Sequence, residues 1–258
     1  MVFYIFYIFI IVVIVLFSYF EWQKSVVFHP KYIANRNFDE QYRAVNIITE
    51  NGTELEGCVY TPKLRSPQKS FLYFGGRGQD AVALLPKLVE QFESYEILVW
   101  NYRGYGQSGG TVSEKNLYSD ALRVYDVFSK HYNIDTLFGY SLGCSIASYV
   151  ASQRESNRLV LVGGFSLLSE LVRQRYGFTL PMLRYRFATS EYLCATKANS
   201  VTLFMSKGDE IVPYENSKKL VGCLKKQHKA ILLDGYSHVE LLWCREVGEF
   251  FAHPQSFT

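Results

Sequence analysis

The chain has 258 residues, of which 48% are hydrophobic and 20% charged, and a formal net charge of +3. That length is enough for one large domain with a full core. A small net charge with no Lys/Arg block and no basic tail argues against nucleic acid as a partner.

The N-terminus gives the first strong signal. MVFYIFYIFIIVVIVLFSYF, residues 1–20, carries no charged side chain and has the length a helix needs to cross a bilayer. A signal peptide would show a basic leader and a small-residue cleavage site, and neither is visible. The expectation is an uncleaved transmembrane anchor over 1–20, followed by a juxtamembrane connector over 21–41. Tyr19 and Trp22 suit the interface, and Lys24 could snorkel. Lys24, Lys31 and Arg36 follow the apolar run and no basic side chain precedes it, which points to a catalytic domain on the cytoplasmic face.

The rest of the chain, 42–258, alternates strand and helix patterns. YRAVNII (42–48) and ELEGCVY (54–60) flank Asn51-Gly52, a hairpin signal. Strands are expected at 69–74, 95–100, 134–140, 158–165, 201–205 and 229–235. Helices are expected at 81–93, after Ser113, at 141–152, 212–226 and 239–251. Residues 166–197 break the rhythm and read as a short cap insertion. Repeated strand–helix–strand units imply an α/β fold: a mainly parallel central sheet with helices on both faces and an antiparallel hairpin at one edge. Functional loops then belong at the carboxyl ends of the strands.

Five cysteines lie at 58, 144, 194, 223 and 244, with no C-x-x-C spacing. No metal or other cofactor is expected. The odd, scattered set reads as buried free thiols, which favours a reducing compartment.

GYSLG (139–143) lies between a strand and a helix. The plain reading is a serine capping that helix. The chemical reading is a nucleophile elbow, a sharp turn that lifts the Ser141 hydroxyl above the sheet between small neighbours. A serine nucleophile needs a base. Of His29, His131, His228, His238 and His253, only His238 follows a strand at the sheet end that holds Ser141. The base needs an acid to fix its tautomer. Asp209, in the loop after strand 201–205, is placed for that, with Glu210 beside it. The chain order Ser141, Asp209, His238 fits one catalytic scaffold. An oxyanion hole would take one backbone N–H from Leu142 and one from Arg77 or Gly76, in the loop after strand 69–74. GYGQSG (104–109) matches a dinucleotide fingerprint, but it does not open a helix and does not follow the first strand.

With these residues in view, the chain resembles the α/β-hydrolase superfamily, and within it small, N-terminally anchored serine hydrolases of the abhydrolase-domain type. YFGGRG, NYRGYGQSGG, GYSLG, SKGDEIVP and GYSH carry the resemblance, over about 42–251. Where many such enzymes read His-Gly-Asn, this chain reads Gly75-Gly76-Arg77. The resemblance implies Ser141 as nucleophile, Asp209 as acid and His238 as base, with Arg103 and Gly104 shaping a loop nearby. It implies cleavage of an ester, thioester or related acyl bond in a small-molecule or lipid-like acyl substrate. A catalytically silent scaffold on the same fold is the rival. The basic-aromatic stretch 173–187 fits either a solvated cap or one that rests on an anionic bilayer surface.

Overall fold

Strands that are buried along their whole length sit at the centre of the sheet. SFLYF in β3 (Ser70–Phe74) and IDTLFGY in β5 (Ile134–Tyr140) have every residue buried, as parallel strands covered on both faces require. They come from a computed structural model that describes residues 2–34, 36, 38–63, 69–177 and 182–252. Among these residues, β1 (Tyr42–Ile48), β2 (Glu54–Tyr60), β3, β4 (Glu96–Trp100), β5, β6 (Ser156–Val162), β7 (Ala198–Ser206) and β8 (Lys229–Leu233) form one sheet. The spatial order is β1-β2-β4-β3-β5-β6-β7-β8. β1 and β2 pair antiparallel, β2 meets β4 antiparallel, and the remaining pairs are parallel. The edge strand β1 is mostly exposed or half-buried.

Helices cover both faces. Those on one side are α3 (Glu114–Phe128) and α4 (Leu142–Gln153), whose apolar stripes join Leu72, Leu98, Leu137 and Leu161 of the sheet. On the other, α2 (Ala81–Phe92), α8 (His238–Trp243) and α9 (Arg245–Ala252) pack on Phe71, Tyr73, Phe138 and Phe204. The starts of α2 and α3 are capped as short polar side chains allow: Asp80 accepts from Ala83 N–H and Ser113 from Asn116 N–H. Arg103 is ion-paired in the interior with Asp120, so its role is to hold the loop after β4.

Four expectations are corrected. The N-terminal helix, α1 (Val2–Val27), does not stop at Phe20; it runs into the expected connector, and Val27 and the next residue, Phe28, are buried in the core. The expected helix 212–226 is a single turn, α7 (Tyr214–Ser217), followed by a 3-10 turn over Lys218–Cys223. Leu220 is the buried apolar side chain of that turn, too little to form a helical stripe. The expected helix 239–251 is broken at Cys244, whose backbone is extended. The cysteines are not all free thiols. α6 (Thr189–Cys194) brings Cys194 to Cys223 with Cα atoms 4.6 Å apart, and the two form a disulfide. Cys58, Cys144 and Cys244 are free and buried; burial pushes the Cys58 and Cys244 thiols up to about 11.

The insertion contains α5 (Leu168–Tyr176) and α6. Residues 178–181 of the basic-aromatic stretch and the tail with His253 lie outside the described residues.

Candidate active site

The turn from β5 into α4 carries unusual backbone. Ser141 has φ 54° and ψ −118°, a strained conformation for a residue with a Cβ, costing about 1–3 kcal/mol. The surroundings hold it there. Ser141 N–H donates to Val162 O at 2.9 Å, and α4 lies so close to β3 that a Cβ on Gly143 would overlap the Phe74 carbonyl. The Ser141 hydroxyl does not cap α4. It lies 2.8 Å from His238 Nε2.

His238 begins α8, directly after the loop that follows β8. A reciprocal cap between Ser237 and Glu240 fixes that helix start. His238 is 5% exposed and Ser141 9%, so neither is well solvated. His238 Nδ1 lies 2.7 Å from Asp209 Oδ2. Asp209 Oδ1 accepts from the N–H groups of Ile211 (2.9 Å) and Val212 (2.7 Å). These two bonds hold the carboxylate with its second oxygen facing His238. Glu210, its neighbour, turns outward and accepts from the backbone N–H of His238 at 3.0 Å. That bond holds the Glu210 carboxyl below the usual range. Gly163, at φ +61°, leaves room for the ring, since a Cβ there would sit 3.0 Å from His238 Cε1.

The loop after β3 faces Ser141 from the other side. A Cβ placed on Gly76 would lie 3.5 Å from Ser141 Cβ. The N–H of Gly76 is already taken: it donates to Gln79 Oε1 at 2.7 Å. Gly76 is one of the two donors expected in this loop, and in this structure Gln79 occupies it. Leu142 N–H, in the first turn of α4, has no acceptor within the helix. Both the fold and the site thus gather Ser141, His238, Asp209, Leu142 and Arg77 at the carboxyl end of the sheet. His131 and His228 stand elsewhere; His228 Nδ1 accepts from Lys225 N–H.

Three residues near the site escaped the sequence reading. Tyr102 donates to Gly75 O at 2.7 Å and Tyr105 to Arg77 O at 2.6 Å, pinning the loop after β3. Tyr140 donates to His238 O at 3.1 Å. The tyrosines of NYRGYG were the available signal. GYGQSG itself packs against β2, where Ser108 Oγ accepts from Glu56 N–H, and does not open α3. Among the described residues, no cluster of three His, Cys, Asp or Glu side chains could hold a metal ion.

Above Ser141 lies an apolar cavity of about 70 Å³, lined by Val26, Leu142, Phe165, Leu168 and Val172 among others.

Residues 70–202 match the family model described as the alpha/beta hydrolase fold. The chain is 30% identical over 205 residues to the uncharacterized protein Rv2307c of Mycobacterium tuberculosis, covering 76% of this chain and 72% of that one. It is 27% identical over 187 residues to the lysophosphatidylserine lipase ABHD12 of Danio rerio, covering 62% of this chain and 48% of that one. Among solved structures, the Pyrococcus furiosus esterase Pf2001 superposes with a TM-score of 0.66 at 18% identity, over 88% of this chain and 97% of that one.

Proposed function

Because the chain belongs to the α/β-hydrolase family, we propose that it is a membrane-anchored serine hydrolase that cleaves an acyl ester or thioester. The observation that carries this reading is the pair of contacts that join Ser141 Oγ to His238 Nε2 and His238 Nδ1 to Asp209 Oδ2.

Ser141 Oγ attacks the acyl carbonyl as His238 Nε2 takes its proton. Asp209 accepts from Nδ1–H, which leaves the Nε2 lone pair facing the serine, and stabilises the imidazolium that forms. The N–H groups of Leu142 and Arg77 receive the developing oxyanion, aided by the N-terminus of α4. His238 then gives its proton to the departing alcohol or thiol. Water enters, gives a proton to His238 and attacks the acyl-enzyme; the acid leaves and Ser141 Oγ recovers the proton. One ester and one water become one acid and one alcohol.

The anchor is α1. Its Phe3–Val27 stretch is long and apolar enough to cross a bilayer, and an 18-residue window within it has a mean hydropathy of 2.7. At about 1.5 Å per residue, its 26 residues span roughly 39 Å against a hydrocarbon core of about 30 Å. The basic residues after the span favour the cytoplasmic side for the domain. A second reading, the opposite side, is favoured by the Cys194–Cys223 disulfide, which belongs to oxidising compartments.

The test is turnover of a panel of activated esters and thioesters by the purified chain and by Ser141→Ala. Hydrolysis by the first and none by the second is expected. Equal rates would remove the nucleophile and this reading with it.

A further inference from the structure

The helix that begins as a membrane span ends inside the catalytic domain. Gln23, fully buried, donates from Nε2 to Met182 O (3.3 Å) and accepts at Oε1 from Arg184 N–H (3.0 Å), both in the cap. Arg77 Nη1 donates to Val26 O at 2.8 Å, and His29 N–H donates to Arg77 O at 3.1 Å. Phe28 packs edge-on against Tyr185 at 5.0 Å and Phe187 at 5.9 Å. One end of α1 therefore bridges the loop that faces Ser141 and the cap that covers it.

The connector beyond is pinned as well. Ile33 N–H and the Arg36 guanidinium both bond Asp80 Oδ2, at 3.0 and 2.7 Å, and Arg36 also pairs with Glu56. Gly106 N–H donates to Lys31 O at 2.8 Å. A domain held this way cannot swing freely on its anchor.

Depth follows from helix geometry. The uncharged run ends at Phe20, before Glu21 and Lys24, and a helix leaves the hydrocarbon there, which puts Val26 roughly 9 Å farther out, at headgroup level. Tyr19 and Trp22 stack at 5.9 Å on either side of Phe20, where an aromatic belt lies. Val26 and Val27 line the cavity above Ser141, opposite Leu168, Leu171 and Val172 of α5.

We propose that Val26 and Val27 are specificity-determining residues: the last turn of the membrane helix is one wall of the acyl-binding cavity. The substrate is a single-chain acyl ester resident in the same leaflet, whose chain rises beside α1 while its ester reaches Ser141. This rests on the serine-hydrolase reading above. The cavity, about 70 Å³, is narrow beside the roughly 300–1,000 Å³ pockets of drug-sized ligands, and takes one slender chain rather than two chains or a ring system. A chain that passes from lipid to an apolar wall does not expose its methylenes to water, so the hydrophobic cost of extraction is avoided.

The test uses the full chain reconstituted in phosphatidylcholine vesicles, with 4-nitrophenyl palmitate and 4-nitrophenyl butyrate as probes and Ser141→Ala in parallel. Val26→Trp, which fills the cavity yet keeps the carbonyl that Arg77 uses, should lower the palmitate-to-butyrate ratio of kcat/KM at least tenfold. The wild-type chain should hydrolyse palmitate ester carried in its own vesicles at least tenfold faster than ester supplied in separate vesicles. That second comparison stands even if Val26→Trp fails to fold. Ser141-dependent butyrate hydrolysis with a smaller change in the ratio, or with a smaller difference between the two vesicle arrangements, overturns this inference alone. Equal butyrate hydrolysis by Ser141→Ala overturns the serine-hydrolase reading, and this inference with it.

Discussion

Asp209 and Glu210 are adjacent carboxylates, and the site gives them different work. Consider Asp209→Asn. Asp209 Oδ1 accepts two backbone N–H groups, from Ile211 and Val212. An asparagine must keep its carbonyl oxygen there, because its NH₂ would meet two donors head on. Its NH₂ then faces His238 Nδ1 and donates to it. The ring proton is forced to Nε2, which becomes a donor toward Ser141 Oγ and cannot take the serine proton. The loss in a comparable triad is about 10⁴ in kcat, or roughly 5.5 kcal/mol of transition-state stabilisation. In Glu210→Gln the amide oxygen can still accept from His238 N–H, so the expected loss is under about tenfold. The assay is kcat and KM on a short activated ester, with thermal melting to show that both variants fold. Equal losses in the two variants, or an Asp209→Asn enzyme within tenfold of wild type, would refute the assignment of the acid.

Three further outcomes follow from the same geometry. Gly143→Ala should unfold the chain or destabilise it by about 3 kcal/mol or more, since the new methyl overlaps the Phe74 carbonyl; denaturant titration reads this, and near-wild-type stability would contradict the close approach of α4 to β3. Burial pushes the Asp135 carboxyl up, but Arg158, Thr136 and Asn157 outweigh it and hold it below its ordinary value. Its folded value is thus depressed, so its contribution is present above roughly pH 4 and is lost as pH falls through the folded value. Asp135→Asn should cost about 3 kcal/mol at neutral pH by stranding Arg158 and should flatten the acid limb of a Tm–pH curve; an unchanged limb would contradict the pairing. For sidedness, an impermeant thiol reagent and protease applied to intact cells should leave a cytoplasmic domain untouched until lysis; a reducing cytoplasm would keep the Cys194–Cys223 disulfide open, so both thiols react afterwards. Digestion in intact cells, with that pair unreactive until reduced, would place the domain on the oxidising side.

Much of the molecule was legible because its signals are local. β3 and β4 carry the apolar runs FLYF and ILVW and β5 ends in LFGY, and Ser141, Asp209 and His238 each follow a strand, which puts all three at the same sheet end. What stayed hidden depends on contacts between distant segments. Nothing in the spacing of Cys194 and Cys223, 29 residues apart, says that α6 and the 3-10 turn meet. Phe20 marks the end of the uncharged run, but α1 continues to Val27 because Gln23 finds partners in the cap and Val27 finds the core. Gly76 looked like a free donor until Gln79, three residues on, was seen to accept its N–H. The tyrosines at 102 and 105 read as part of a glycine-rich loop; only the fold brings their hydroxyls to Gly75 and Arg77.

The central claim is that Ser141 is the nucleophile, and a fluorophosphonate adduct tests it most directly. The full chain, treated with the probe and digested, should yield one phosphonylated peptide that contains Ser141, with ester hydrolysis lost in proportion to labelling. An adduct confined to another residue, or full hydrolysis by a chain completely modified at Ser141, would contradict the account.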